Sequence, residues 1–240
     1  MSATVVRSIS VLGRRNVNAF VLIGRRAVLV DTGVPGSGPK ISAALEGWGL
    51  GPAHVSAIVV THGHIDHFGS AAYLREALDA PILAHGGDLQ AYTSGRSLQD
   101  TLRPTGPFGR LFVNMPPIHE STEPFTPDIN VDAPMSLRSF GVDAQILLTP
   151  GHTPGSISLL TAGGELIAAD MIAGSFLGLI ARRPANPPFH YDRHLNLASL
   201  EAALNRAPVV VYAGHGGPLA PDRVRRWATR ERRKLSAQRP

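Results

Sequence analysis

Residues 61–69 read Thr-His-Gly-His-Ile-Asp-His-Phe-Gly, which puts His62, His64, Asp66 and His67 within six positions. Imidazole nitrogens and carboxylate oxygens are side-chain donors that bind divalent metals. At this chain's histidine and aspartate frequencies, H-x-H-x-D-H arises by chance in roughly one sequence in a thousand, so it marks chemistry rather than composition. On an extended segment His62 and His64 alternate with Gly63 and point to one side, where they can chelate one ion. Asp66 and His67, at the turn into a helix, can face a second.

Three further donors stand just past the C-terminal ends of expected strands, where a sheet scaffold builds sites from distant residues. His152 lies in Thr-Pro-Gly-His-Thr-Pro-Gly-Ser after a strand at 144–148, and Asp170 directly follows a strand at 166–169. His215 lies in Gly-His-Gly-Gly-Pro after a strand at 208–212. Seven donors exceed what one tetrahedral ion can use, but they suit two ions sharing a carboxylate. His54, His85, His119, His190 and His194 lie in no ligand-spaced pattern and read as structural or surface residues. Tyr191, beside His190, could donate a hydrogen bond to a substrate oxygen, though packing suffices to explain it.

The elements that must position these residues follow from apolar patterning. Strands are expected at 4–12, 17–23 and 27–30, the last running into Asp31-Thr32-Gly33. A helix follows near 40–48, with Ile41, Ala44, Leu45 and Trp48 on one face. The nearly continuous apolar run at 55–60 reads as a strand covered on both faces, delivering Thr61 and the histidines into a loop. A helix at 70–78, strands at 82–84 and 156–160, a helix at 192–205 and an arginine-rich closing helix complete the pattern.

Residues from about 86 to 143 are different. Pro104, Pro107, Pro116, Pro117, Pro124, Pro127 and Pro134 interrupt them, and clean periodicity is absent, as in an irregular lid-like insertion. With no disordered linker and no repeat, residues 1–240 read as a single domain.

Composition narrows the chemistry. There is no cysteine, which excludes disulfides, thiolate zinc sites, iron–sulfur clusters and a cysteine nucleophile. The N-terminus has no signal-peptide apolar run and no stretch suits a membrane span, so the cytoplasm is the expected compartment. The net charge of +5 is concentrated in Arg223, Arg225, Arg226, Arg230, Arg232, Arg233 and Lys234. A solvated amphipathic closing helix accounts for that run, with a docking patch for an anionic partner as the alternative. A small-molecule substrate is expected ahead of nucleic acid.

Asp31-Thr32-Gly33, Thr61 to His67, Gly151 to Ser156, Asp170 and Gly214-His215 resemble, in order, the motifs of the metallo-β-lactamase superfamily. The resemblance covers nearly all of the chain. It implies an α+β fold, a four-layer αββα sandwich with a metal site along one edge. It also implies that His62, His64 and His152 hold one ion, that Asp66, His67 and His215 hold the other, and that Asp170 bridges them. Asp31 would support the site from behind.

The reaction implied is hydrolysis of an ester, thioester or lactone by a dinuclear metal-dependent enzyme. A bridging hydroxide, its pKa lowered towards about 7, would attack the carbonyl, and Asp66 would orient it. An ion would stabilise the developing oxyanion. Zinc is the first choice for both divalent metal ions, with iron or manganese compatible with the same donors.

Among the family's branches, 240 residues leave no room for the large second domain of β-CASP nucleases, and the flavodoxin-like domain of diiron oxidoreductases is not expected. It is similar to glyoxalase II-like thioesterases and to lactonases. However, Met171 to Gly178 matches the thioesterases poorly, and Ala173 stands where lactonases place a tyrosine nearby. A phosphodiesterase or ribonuclease-type hydrolase, an iron-dependent redox member and a metal-stabilised binding module remain as alternatives. Phe108, Leu111, Phe112, Val113 and Met115 in the insertion suggest a partly apolar acyl group.

Overall fold

Short β-branched runs, the central ones buried on both faces, build two sheets, and the way each run divides its side chains defines the layers. The computed structural model describes residues 4–13, 16–115, 119–174 and 183–237. The first sheet opens with an antiparallel meander, β1 (Val5–Leu12), β2 (Val17–Ile23) and β3 (Ala27–Val30). Helix α1 (Gly38–Glu46) leads to β4 (Val55–Val59), which lies parallel to β3. Helices α2 (Ile65–Phe68) and α3 (Ala71–Leu78) lead to β5 (Ile82–Ala84), parallel to β4.

Residues 86–143 carry α4 (Leu89–Ser94), α5 (Pro107–Val113), β6 (Ile129–Asn130) and β7 (Met135–Ser136). The proline-rich stretch is thus more ordered than its periodicity suggests. β6 closes the edge of the first sheet and β7 opens the edge of the second, so the stretch is also the connection between the sheets. These strands are two residues long, too short for any period to register in the sequence. Pro116 and Pro117 lie outside the described residues, as does the 175–178 part of the stretch after Asp170.

The second sheet runs β11-β10-β9-β8-β7, with β8 (Ala144–Leu148), β9 (Ile157–Thr161), β10 (Glu165–Ala169) and β11 (Val210–Ala213). β10 and β11 are parallel, which requires the crossover helix α6 (Arg193–Leu204). The closing helix α7 spans Pro221–Ala237.

Alternate side chains along each strand enter different cores. Ala19, Val21, Leu29 and Ile58 pack with Ile41, Leu45 and Leu74 of the helices α1 and α3. Their neighbours Phe20, Leu22, Val28, Val30 and Val59 pack instead against Ile146, Ile157, Leu159 and Ile167 of the second sheet. On the far side, Leu166, Ala168 and Val211 pack against Leu200, Leu204 and Val224 of α6 and α7. Three apolar layers separate four structural layers, helix–sheet–sheet–helix, which is the αββα sandwich. Each large side chain between the sheets contributes about 1.5–3 kcal/mol of burial.

Helix α7 turns Val224, Ala228, Glu231 and Leu235 inward. Glu231 accepts hydrogen bonds from Arg193 at 2.6 Å and Asn186 at 2.8 Å, and Arg232 pairs with Glu201. Part of the basic run is therefore used in docking α7 to α6. No helix among the described residues is long and apolar enough to cross a membrane.

Candidate metal centre

Chain direction brings the candidate donors together. β3 and β4 are parallel, so Asp31 and residues 61–67 leave the same edge of the first sheet. β8 and β10 are each antiparallel to β9, and β11 is parallel to β10, so the loops holding His152, Asp170 and His215 leave one edge of the second. The edges are joined beside the site. Ile157 N donates to Thr61 O, and Asn18 N donates to Gly214 O, both at 2.9 Å. The Asn18 side chain donates to Ala213 O and Gly216 O at 3.0 Å.

All seven candidate donors meet there, in three groups whose donor atoms lie within 4.8 Å of one another. The groups are His62, His64 and His152; His62, His67 and Asp170; and Asp66, His67 and His215. Asp170 stands between the others. Its carboxylate oxygens lie 3.5 Å from His67 Nε2, 3.7 Å from His152 Nε2 and 3.1 Å from His215 Nε2. Asp66 Oδ2 lies 3.3 Å from His215 Nε2, and its side chain, 31% exposed, is the donor most open to solvent.

Each of the five imidazoles has one nitrogen held by a protein oxygen. Thr61 Oγ1 donates to Asp31 Oδ2 at 2.9 Å, so it accepts from His62 Nδ1 at 3.0 Å. Thr101 Oγ1 donates to Leu98 O at 2.6 Å and therefore accepts from His64 Nε2 at 3.0 Å. His67 Nδ1 donates to Asp31 Oδ2 at 2.8 Å, and His152 Nδ1 donates to Phe189 O at 3.1 Å. His215 Nδ1 donates to Asn16 O. In the neutral rings the other nitrogen, Nδ1 of His64 and Nε2 of the rest, is left with a lone pair facing inward.

That arrangement fits a cation. His62 Nε2, His67 Nε2 and Asp170 Oδ1 are buried with no hydrogen-bond partner among the described residues. His64 Nδ1 and His152 Nε2 bring two lone pairs within 2.9 Å. With the rings neutral, buried acceptors in this number without donors cost several kcal/mol, and a divalent ion satisfies them together. The donors are nitrogen and oxygen only, a set suited to zinc, iron or manganese.

Electrostatics separate the groups. Burial pushes the His62 and His152 pKa values well down, reinforced by neighbouring imidazoles, so these rings stay neutral. Burial also opposes charge on His67, but Asp170, Asp31 and Asp66 outweigh it and raise the pKa to about 9. His215 is likewise raised, burial being overcome by Asp170 and Asp66. Burial works against the charged Asp170, yet His215 and His67 hold its carboxyl well below the usual range.

The support around the donors was only partly visible beforehand. Asp31 adopts φ 61°, a left-handed conformation that costs an L-residue roughly 1–2 kcal/mol. In that conformation Oδ1 accepts from Thr61 N at 2.8 Å while Oδ2 holds His67. His190, expected to be structural or surface, is buried with Nδ1 3.1 Å from His152 Nδ1. Burial lowers its pKa to about 3, so it is neutral. Tyr191 N donates to His152 O at 2.9 Å, and the Arg103 guanidinium lies 4.6 Å from its ring centroid. His54 and His85 instead accept from the nearby backbone amides of Gly51 and Gly87.

Two supporting residues went unread in the sequence, Thr101 and Asp88. Asp88 lies just past the end of β5, so the strand-end pattern that singled out the candidate donors could have singled it out too. Thr101 has no such signal.

Strand-end histidines and aspartates gathered at one edge of an αββα sandwich form a divalent-metal centre. The chain belongs to the Metallo-beta-lactamase superfamily, whose profile matches residues 12–215, and the family and the chain's metallo-hydrolase relatives make it a metal-dependent hydrolase. It is 27% identical over 229 residues to the probable metallo-hydrolase YflN of Bacillus subtilis (strain 168), covering 88% of this chain and 83% of that protein. It is also 27% identical over 213 residues to a hydroxyacylglutathione hydrolase of Anaeromyxobacter dehalogenans (strain 2CP-C), covering 82% and 68%. The archaeal metallo-beta-lactamase superfamily protein ST1585 from Sulfolobus tokodaii shares the fold, with a TM-score of 0.67 at 22% identity over 95% of this chain and 86% of that one.

Proposed function

We propose that this hydrolase is dinuclear and cleaves an ester, thioester or lactone bearing an apolar acyl group. The observation that carries the reading is the convergence of five inward imidazole nitrogens on two carboxylates. His62, His64 and His152 would hold one ion, Asp66, His67 and His215 the other, and Asp170 would lie between them. When bound, such ions, zinc by preference, supply a water acidified towards neutral pH and Lewis-acid polarisation of a carbonyl oxygen.

The chain's own residues do the rest. Asp66, whose side chain is the most open to solvent of the cluster, would accept a hydrogen bond from the attacking water and orient it. Asp31, Thr61, Thr101 and the Phe189 carbonyl hold the imidazoles, so that little reorganisation accompanies the reaction.

The acyl preference rests on α5. Leu111 is 64% exposed and Met115 55% exposed, so residues 108–115 form an apolar ridge. Its Phe112 ring lies 5.7 Å from Phe189, whose carbonyl holds His152. We read residues 86–143 as the wall or lid of the substrate site within one domain spanning residues 1–240. The relative named hydroxyacylglutathione hydrolase supports the thioester option, because an acylglutathione is a thioester.

The test is a panel of thioesters, lactones, aryl esters and phosphodiesters, run with zinc-, manganese- and iron-loaded protein. Turnover of acyl substrates that rises with chain length is expected. Turnover of phosphodiesters alone overturns the reading.

A further inference from the structure

The segment after β5 holds a buried carboxylate that belongs to neither donor cluster. Asp88 is 1% exposed and occupies the N-cap position of α4, yet its side chain makes no bond to that helix. An aspartate at this position ordinarily accepts from its own helix's first amides. Here the carboxylate turns away. Oδ2 accepts from Gly63 N at 2.7 Å and from Thr153 Oγ1 at 2.5 Å, and Oδ1 accepts from Gly155 N at 2.9 Å.

These partners are specific in position. Gly63 lies between His62 and His64, while Thr153 follows His152 and Gly155 lies two residues beyond. The contacts leave no slack. A Cβ on Gly63 would lie 2.9 Å from Asp88 Cβ, and one on Gly155 would lie 2.7 Å from its Cγ. One carboxylate thus joins the backbone amides of Gly63 and Gly155, which lie on loops that are distant in sequence and belong to different sheets.

We propose that Asp88 is the positioning residue for the His62–His64–His152 cluster, setting the separation of the two loops so that three nitrogens meet at one ion. It touches no member of the Asp66–His67–His215 group through these bonds. Its effect therefore falls on one of the two ions. The proposal rests on the two-ion reading above.

Asp88→Asn keeps the volume but replaces one acceptor oxygen by an amide that faces a donor. Zinc binding, measured by competition with a chromophoric chelator, should weaken about 10- to 100-fold for one equivalent and stay within about twofold for the other. Thr153→Val keeps the shape and removes the hydroxyl that donates to Asp88 Oδ2 at 2.5 Å and pairs with Ser156 Oγ at 2.8 Å, and a smaller loss at the same equivalent is expected. If Asp88→Asn does not fold, the Thr153→Val titration decides alone.

Wild-type affinity at both equivalents in either folded variant overturns the proposal, and so does an equal loss at both. A wild-type protein that binds one zinc ion overturns the two-ion reading instead, and the clamp then stands or falls on that ion's affinity.

Discussion

The two donor clusters share a wall and differ in charge. His62, His64 and His152 are three imidazoles held by hydroxyl and carbonyl oxygens, and burial keeps His62 and His152 neutral. Asp66, His67 and His215 include one carboxylate and lean on two more, so without metal the imidazoles of His67 and His215 carry protons near neutral pH. The first cluster presents lone pairs ready for an ion. The second holds protons that an ion must displace. Similar ligand types would therefore give two sites with different pH behaviour, and the difference lies in the carboxylates behind them.

The largest expected effect comes from removing what the clusters share. Asp170→Asn should weaken both ions and lower kcat/KM about a thousandfold or more, equivalent to about 4 kcal/mol. Metal analysis after dialysis and a steady-state assay check both effects together. Loss at a single site would mean that the carboxylate serves one cluster only.

Asp66→Ala should act on the second cluster and on the water, lowering kcat by about a hundredfold or more. Activity that survives this change removes Asp66 from the reaction.

pH sharpens the contrast. The second cluster's affinity should rise between pH 7 and 9 by about tenfold per unit for each proton displaced, while the first should stay nearly flat. Calorimetry in buffers of different ionisation enthalpy counts the protons released. In the metal-free protein both His67 and His215 have folded pKa values above the ordinary 6.5. Their ion pairs thus contribute stability that is full below that value and is lost as pH rises through the folded pKa, about 9 for His67. Thermal melts of metal-free protein should fall over that range. Melts of the metal-loaded protein should not.

The smallest effect lies away from both clusters. Leu111→Glu on α5 should raise KM for long-chain acyl substrates about tenfold, with short-chain substrates and metal content unchanged. Equal KM changes for all chain lengths would take α5 out of substrate selection.

Much of the scaffold was legible because its signals are local. The continuous apolar run that forms β4 and the Leu-rich face of α6 each report burial through period and composition. Residues 86–143 were less legible. β6 and β7 are set by the sheet edges they pair with, and α5 exposes apolar side chains that a folding pattern alone would bury.

The sequence by itself picked out the candidate donors. His62, His64, Asp66 and His67 lie in one short run, and strand-end placement brought in His152, Asp170 and His215. Only the tertiary structure decided how those donors are held. Thr101 reaches His64 across 37 positions, and the Asn16 carbonyl reaches His215 across 199. Asp88 joins loops from both sheets, and Asp170 with its neighbours sets which imidazoles carry protons. Ligand spacing is a property of adjacent residues, whereas hydrogen-bond partners and local fields depend on which strand ends the packed sheets bring together.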